Sequence, residues 1–300
     1  MNNENQPLMV TIRCITYNHE PYIRECLEGF VMQKTNFRFE AIVHDDASTD
    51  GTAAIIAEYA EKYPDIIKPL YETENQYSKR DGSLRRIMNA HMHGKYVAMC
   101  EGDDYWIDPL KLQKQVDFLE TNPDYSMCFH SAKIECTDKS RIDKYNHLEN
   151  IQQREYTPED LINSYYAQTA TLILKKDVIT NLPSHQYFYY GDVVLITNCF
   201  KYGKVFGFNN QMSVYRVNIN GVSRNINTEI RRKFNIGLKE SFPEYSYIID
   251  KLIVGFTVGS IKGYLKEGNF KQVILVCRES GRYVGYLELF KSLCCNIIKK

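Results

Sequence analysis

The chain of 300 residues lacks net charge: 37 Lys and Arg stand against 37 Asp and Glu. A balanced chain makes no global field that gathers polyanions, so nucleic acid is excluded as the expected partner. The nine cysteines include no CxxC pair and only Cys294 and Cys295 adjoin, which reads as reduced, mostly buried thiols instead of a disulfide framework. No apolar run reaches the roughly 18 residues that span a bilayer. The longest candidate, IIDKLIVGFTVGSIKGYL, is broken by Asp250, Lys251 and Lys262. The opening MNNENQPLM is polar and has no apolar leader core. These absences predict a cytoplasmic chain, with room for peripheral contact on the inner face of a membrane. Internal repeats and low-complexity segments are also missing.

What is present is an ordinary globular composition, 44% hydrophobic and 25% charged, in a chain long enough for one large α/β domain with a smaller appendage. The first half alternates. MVTIRCIT, FRFEAIVHDD, IIKPLYE and KYVAMC read as strands. NHEPYIRECLEGFVMQ carries Tyr22, Ile23, Cys26, Leu27, Phe30 and Val31 at helical spacing, with Pro21 in the first turn. STDGTAAIIAEYAEKYPD predicts a capped helix, SLRRIMNAHMHG a helix closed by Gly94, and PLKLQKQVDFLETNPD a helix starting at Pro109. This alternation predicts a parallel sheet with right-handed crossovers. After residue 124 the pattern loosens. YSMCFHSAKIE and QTATLILKK predict strands, KVFGFNNQMSVYRVN a strand or hairpin, and residues 137–156 a polar loop. TPEDLINSYY and YYGDVVLITNCFKYG predict helices, and several more follow Thr228.

In open α/β sheets, ligands bind at the carboxyl ends of the strands. Three predicted strands end in TYN, HDDAST and EGDD, the most polar junctions of this half. CEGDDYW sets Glu101, Asp103 and Asp104 within four positions, where each charge raises its neighbours' pKa unless a cation compensates. In VHDDASTDGT, Ser48 or Asp50 suits the cap of the following helix. Asp45 lies upstream of that need and suits a hydrogen bond from a base or ribose. His91 and His93, two apart on a predicted helix, face different sides and make no metal pair.

ITYNHE, VHDDASTDGT and CEGDDYW, in this order and spacing, resemble the family 2 glycosyltransferases with the GT-A fold. FYYGDVVLI and MSVYRVNINGVS fit that family's catalytic-base and donor-closing regions. The resemblance implies an α/β GT-A domain, Rossmann-like with a mostly parallel sheet flanked by helices, over residues 1–227, followed by a helical C-terminal region over 228–300. It implies inverting transfer of a sugar from a nucleotide-sugar donor, a UDP-sugar before a GDP-sugar, to a saccharide or lipid-linked acceptor in surface polysaccharide synthesis. A divalent metal, manganese or magnesium, would neutralise the departing diphosphate.

By the same resemblance Asp103 is the metal ligand. Glu101 occupies the first acidic position of a DxD motif, where Asp is commoner, and holds ribose or a metal-bound water. Asp104 sits near the donor sugar, Asp45 meets the uracil edge, and Thr16 and Tyr17 wall the base. Asn18 and Ser48 complete the nucleotide loops, and Arg216 of the Tyr215-Arg216 pair neutralises diphosphate. Asn218 stands where a His is frequent, so no metal role follows for it. Asp192 is the general base, although an N-cap for VVLITNCF explains the same residue. His130 suits an acceptor-pocket wall or a hydrogen-bonded, semi-buried imidazole.

Two other classes compete. A sugar-phosphate nucleotidyltransferase would need a glycine-rich loop where this chain has TYNHE. A non-catalytic nucleotide-sugar or saccharide-binding module would use the acidic cluster to hold calcium. The mixture of Lys and apolar residues in GYLELFKSLCCNIIKK fits peripheral membrane contact or amphipathic core packing.

Overall fold

The computed structural model describes residues 7–136, 142–164, 166–217 and 227–298. They form two compact units of interleaved segments. The first holds Met1–Thr157, Tyr165–Asn181 and Cys199–Ile219; the second holds Pro158–Ser164, Leu182–Asn198 and Asn220–Lys300.

The first unit is built on one mixed sheet. Its strands among the described residues are β1 (Leu8–Thr16), β2 (Arg38–Asp45), β3 (Ile67–Tyr71), β4 (Tyr96–Met99), β5 (Tyr105–Trp106), β6 (Tyr125–Cys136), β7 (Arg154–Tyr156), β8 (Ile173–Lys175) and β9 (Lys204–Val217). The order is β3-β2-β1-β4-β8-β6-β9-β5, with β7 on β9. The block β3-β2-β1-β4 is parallel, as expected. Past it, β8 runs antiparallel to both β4 and β6, whereas β6 and β9 are parallel to each other. The change of direction coincides with the loosened sequence pattern after residue 124.

Val10, Ile12 and Cys14 of β1 and Ala41 and Val43 of β2 enter one core. Cys26, Leu27 and Phe30 meet them from the helix Ile23–Val31, because their spacing places them on one helical stripe. Leu112, Val116 and Leu119 do the same from the helix Lys111–Thr121. Trp106 closes this core. Its indole N–H donates to the Ala170 carbonyl at 2.9 Å, and its ring meets Phe30 edge-on at 5.0 Å. Lys111 is buried beside it, with Nζ 4.2 Å from the ring centroid and 2.7 Å from Gln115 Oε1. Burial pushes the Lys111 amine down to about 7.

Several expectations need correction. The polar stretch 137–156 contains the helix Ile142–Glu149 and β7; residues 137–141 lie outside the described residues. The segment after Thr169 opens with a 3-10 turn, Thr169–Thr171, before β8 begins. Of the strand or hairpin read for KVFGFNNQMSVYRVN, the strand is found: Lys204–Val217 is continuous, with β6 paired along it. The helix Ser83–His91 stops before Gly94, whose Cβ, if present, would lie 2.4 Å from the Thr11 amide nitrogen. That glycine serves close approach to β1, not a helix cap.

The second unit is helical. Phe234, Ile236, Leu238 and Phe242 pack with Ile248, Ile249 and Ile253 in its core. Arg232 is fully buried there, bound to Glu229, Glu279 and Ser280. Its neutralisation by two carboxylates is what makes a buried guanidinium tolerable. Among the described residues no helix is long and apolar enough to cross a membrane.

Candidate active site

The parallel register aligns strand ends. Thr16 closes β1 beside Asp45 of β2, and Asp45 lies beside Tyr71 of β3. The EGDD turn leaves β4 and returns over β1, where Gly102 N–H donates to the Ile15 carbonyl at 3.0 Å. A Cβ on Gly102 would come within 2.6 Å of Thr16 Oγ1 and 2.9 Å of His19 Nδ1. Only glycine lets the turn lie this close. TYN, HDDAST and EGDD therefore meet on one edge.

The polar residues there divide by task. Asn18 adopts the left-handed conformation, φ 54°, which Asn tolerates better than most side chains. Its amide donates to Ser48 Oγ at 2.9 Å and its Oδ1 accepts from the Thr49 amide at 2.8 Å. Asn18 and Ser48 thus tie two strand-end loops together. Neither Ser48 nor Asp50 caps the helix Thr52–Lys62, whose N-cap is Gly51 without a side-chain cap; Asp50 accepts from the Thr52 amide at 3.0 Å and the Glu20 amide at 3.1 Å, one residue before the cap. Asp46 receives the Gln76 and Tyr77 amides at 2.6 and 3.0 Å, anchoring the following short helix.

Asp45 is 3% exposed, and its Oδ1 has no hydrogen-bond partner within the described residues. Burial raises its carboxyl pKa, and hydrogen bonds from Ser48 oppose that shift. Thr16 Oγ1 and His19 Nδ1 are likewise buried without partners. Buried polar atoms of this kind are costly unless a ligand or water meets them. Tyr17 is exposed at the rim.

The acidic turn is organised from both sides. Glu101 faces Arg13 at 3.7 Å. Asp104 is 2% exposed and fixes the turn: Gln168 Nε2 donates to it at 2.7 Å and the Arg216 amide at 2.8 Å. Burial drives its pKa well up, with the Asp103 charge adding to the shift. The Arg216 guanidinium donates to the Asp103 carbonyl at 3.1 Å and to Glu135 at 2.9 Å, and it is ion-paired with Glu25. It also lies 4.3 Å from the Tyr105 ring centroid. Asp103 is half-buried, and its charge is felt by His19, whose pKa is lowered by burial.

Sequence reading missed His19, Arg13 and Gln168. His19 could have been noticed as the only ring nitrogen bearer within TYNHE. Gln168 gave no signal, because its partner Asp104 is 64 residues away. His130 is fully buried, its Nδ1 2.8 Å from the Ser131 carbonyl, which assigns the proton to that nitrogen and leaves no acceptor-pocket wall. Asp192 belongs to the second unit. It sits inside the first turn of the helix Gly191–Tyr202, where Oδ1 accepts from the Val193 amide at 2.9 Å. Asn218 and the donor-closing stretch 218–226 lie outside the described residues.

Among the described residues no three His, Cys, Asp or Glu side chains are grouped to hold a metal. Magnesium-type cations bound through one or two carboxylates take their other ligands from water and phosphate. The described residues therefore offer no all-protein cage for a cation.

An α/β sheet whose polar junctions meet at the carboxyl ends of parallel strands is of the Rossmann-like, ligand-binding class. The model of glycosyl transferase family 2 matches residues 11–182, and the chain belongs to that family. An uncharacterised protein of Mycobacterium tuberculosis is 34% identical over 231 residues, 75% of this chain and 63% of the relative; the chain thus spans less than two thirds of that protein. The putative teichuronic acid biosynthesis glycosyltransferase TuaG of Bacillus subtilis is 26% identical over 72% of this chain and 82% of its own length. Among solved structures, S. aureus TarS with UDP-GlcNAc superposes with a TM-score of 0.65 at 17% identity, covering 92% of this chain and 82% of that one. The mannosyltransferase PcManGT of Pyrobaculum calidifontis, with GDP-Man and Mn2+, gives 0.55 at 16% identity, covering 98% and 88%. These two likenesses establish the fold.

Proposed function

We propose that the chain is an inverting glycosyltransferase that moves a sugar from a nucleotide diphosphate, foremost a UDP-sugar, to a hydroxyl of a saccharide or lipid-linked acceptor in cell-surface polysaccharide synthesis. The observation that carries this reading is the trio of buried, unpartnered polar atoms at one rim, Thr16 Oγ1, Asp45 Oδ1 and His19 Nδ1, beside the acidic turn. Relatives support the class: TuaG is named for teichuronic acid biosynthesis, and an Escherichia coli relative, 32% identical over 113 residues, is named a UDP-Glc:α-D-GlcNAc-diphosphoundecaprenol β-1,3-glucosyltransferase.

In this reading Asp45 accepts from the uracil edge, Thr16 and Tyr17 wall the base, and Asn18 and Ser48 hold that wall. Asp103, with diphosphate oxygens, would hold manganese or magnesium; the bound cation would supply charge stabilisation for the leaving group. Glu101 keeps its place against Arg13 and reaches ribose or a metal-bound water. Asp104 keeps the turn beneath the sugar, and Arg216 braces its backbone while adding positive charge. Asp192 takes the acceptor proton as the hydroxyl attacks from the face opposite the diphosphate, which inverts the anomeric carbon. The division of labour is a transferase domain over 1–227 and a helical region over 228–300, on the cytoplasmic side of the membrane.

A panel of nucleotide sugars, with and without manganese, tests this by thermal shift and by UDP release with acceptor. One donor should raise the melting temperature through mass action and yield UDP. Pyrophosphate release would instead identify a nucleotidyltransferase, and stabilisation with no turnover on any acceptor a binding module.

A further inference from the structure

We propose that the exposed face of the last two helices is a docking surface for an anionic phospholipid bilayer. The helix Phe270–Val284 buries Val276, Ser280 and Gly281 and turns Phe270 and Ile274 outward, 65% and 67% exposed. The helix Tyr286–Ile298 buries Leu289 and leaves Tyr286, Leu287 and Phe290 58%, 66% and 64% exposed. Tyr286, Leu287, Phe290 and Cys277 line a shallow groove of about 480 Å³. Cys277 lies at helical spacing from Phe270 and Ile274, so their stripe runs toward this groove, and large apolar side chains this open mark an interaction site. Amphipathic packing into the core explains the buried stripe of each helix and leaves this outer stripe unexplained.

The charges around the patch select its partner. Lys271, Arg278, Arg282 and Lys291 are exposed on these two helices, and Lys262 and Lys266 at the end of the preceding helix Ser246–Lys266, against the exposed carboxylates Glu267, just after that helix, and Glu288. Of those two, Glu288 is paired with Lys291 at 2.9 Å. Lys271, Leu275, Arg278 and Arg282 follow one another at helical spacing, next to the Phe270 and Ile274 stripe. Basic residues interleaved with Phe, Leu and Ile on a helix surface suit anionic headgroups above an acyl boundary. A second copy of the chain suits the patch poorly. A two-fold contact would set the same cations against each other. The bilayer meets both properties at once.

This inference is independent of the transferase reading, because vesicle binding requires no donor or turnover. The full chain is floated with phosphatidylcholine vesicles and with vesicles containing phosphatidylglycerol, at low and high salt. Binding is expected only with phosphatidylglycerol, and should weaken about tenfold or more when salt screens the contacts. The double variant Ile274→Ser, Phe290→Ser and the charge variant Lys271→Glu, Arg278→Glu should each lose about tenfold in binding while circular dichroism stays unchanged. No binding at low salt overturns the proposal, as does equal binding to both vesicle types. A dimer in light scattering that Ile274→Ser, Phe290→Ser converts to a monomer also overturns it, since the second copy would then be the occupant.

Discussion

The Arg216 amide donates to Asp104 at 2.8 Å, although the two residues are 112 positions apart. This bond joins the end of β9 to the acidic turn after β4. With the Gln168 bond it makes Asp104 a clamp on the turn, so its removal should be felt first as lost stability. Asp104→Ala leaves the buried Gln168 amide and the half-buried Arg216 N–H without acceptors, and unsatisfied groups cost about 1–3 kcal/mol each. Urea unfolding of Asp104→Ala is expected to show a loss of about 2–4 kcal/mol, on the scale of those two groups. A loss under about 0.5 kcal/mol, the scatter of ordinary surface substitutions, would remove the clamp role.

Asp103 should behave differently. Its substitution by Ala is expected to abolish manganese-dependent UDP binding in calorimetry with little change in the unfolding midpoint. Unchanged affinity would reject Asp103 as the metal ligand.

Gly102→Ala tests the close approach of the turn. The new methyl would lie 2.6 Å from Thr16 Oγ1, so the turn must move away from β1. Overpacking of this kind typically costs about 1–3 kcal/mol. UDP affinity should fall together with stability; wild-type values of both would show that the rim tolerates displacement.

Lys111 should make stability depend on pH above neutrality. Its amine is held down at about 7 by burial, whereas an unfolded Lys titrates near 10.4. Between these values the unfolded chain binds a proton that the folded chain has released, so stability rises with pH across that window. Below about 7 both states carry the proton and this contribution is flat. Urea midpoints measured from pH 7 to 9 should therefore rise more in the parent than in Lys111→Met. Parallel curves would show that Lys111 is charged when folded.

Asp192→Asn keeps size and the capacity to accept from Val193 N–H, but removes the basic oxygen. Folding and UDP binding should persist while acceptor-dependent UDP release falls about 10² to 10⁴-fold, the usual worth of a general base. Turnover within a few-fold of the parent would leave Asp192 a first-turn helix residue only.

The sequence by itself determined the first half of the sheet and which polar junctions share an edge. β1, β2 and β4 are largely buried runs and β3 a half-exposed edge, so local apolar content and intervening amphipathic helices suffice to announce a parallel block. The polar junctions TYN, HDDAST and EGDD then fall at one edge because parallel strands share an end. Tertiary structure alone decided the rest. β8 and β9 join the sheet through pairings with residues far away in the chain, and no local period records such partners. The same holds for the carboxylates: three neighbours in CEGDDYW look alike, yet Glu101 meets Arg13, Asp104 meets Gln168 and Arg216, and Asp103 stays at the rim. Hydrogen-bond partners, burial and pKa are properties of what folding brings within 3 Å of a group, and a sequence specifies them only through the completed fold.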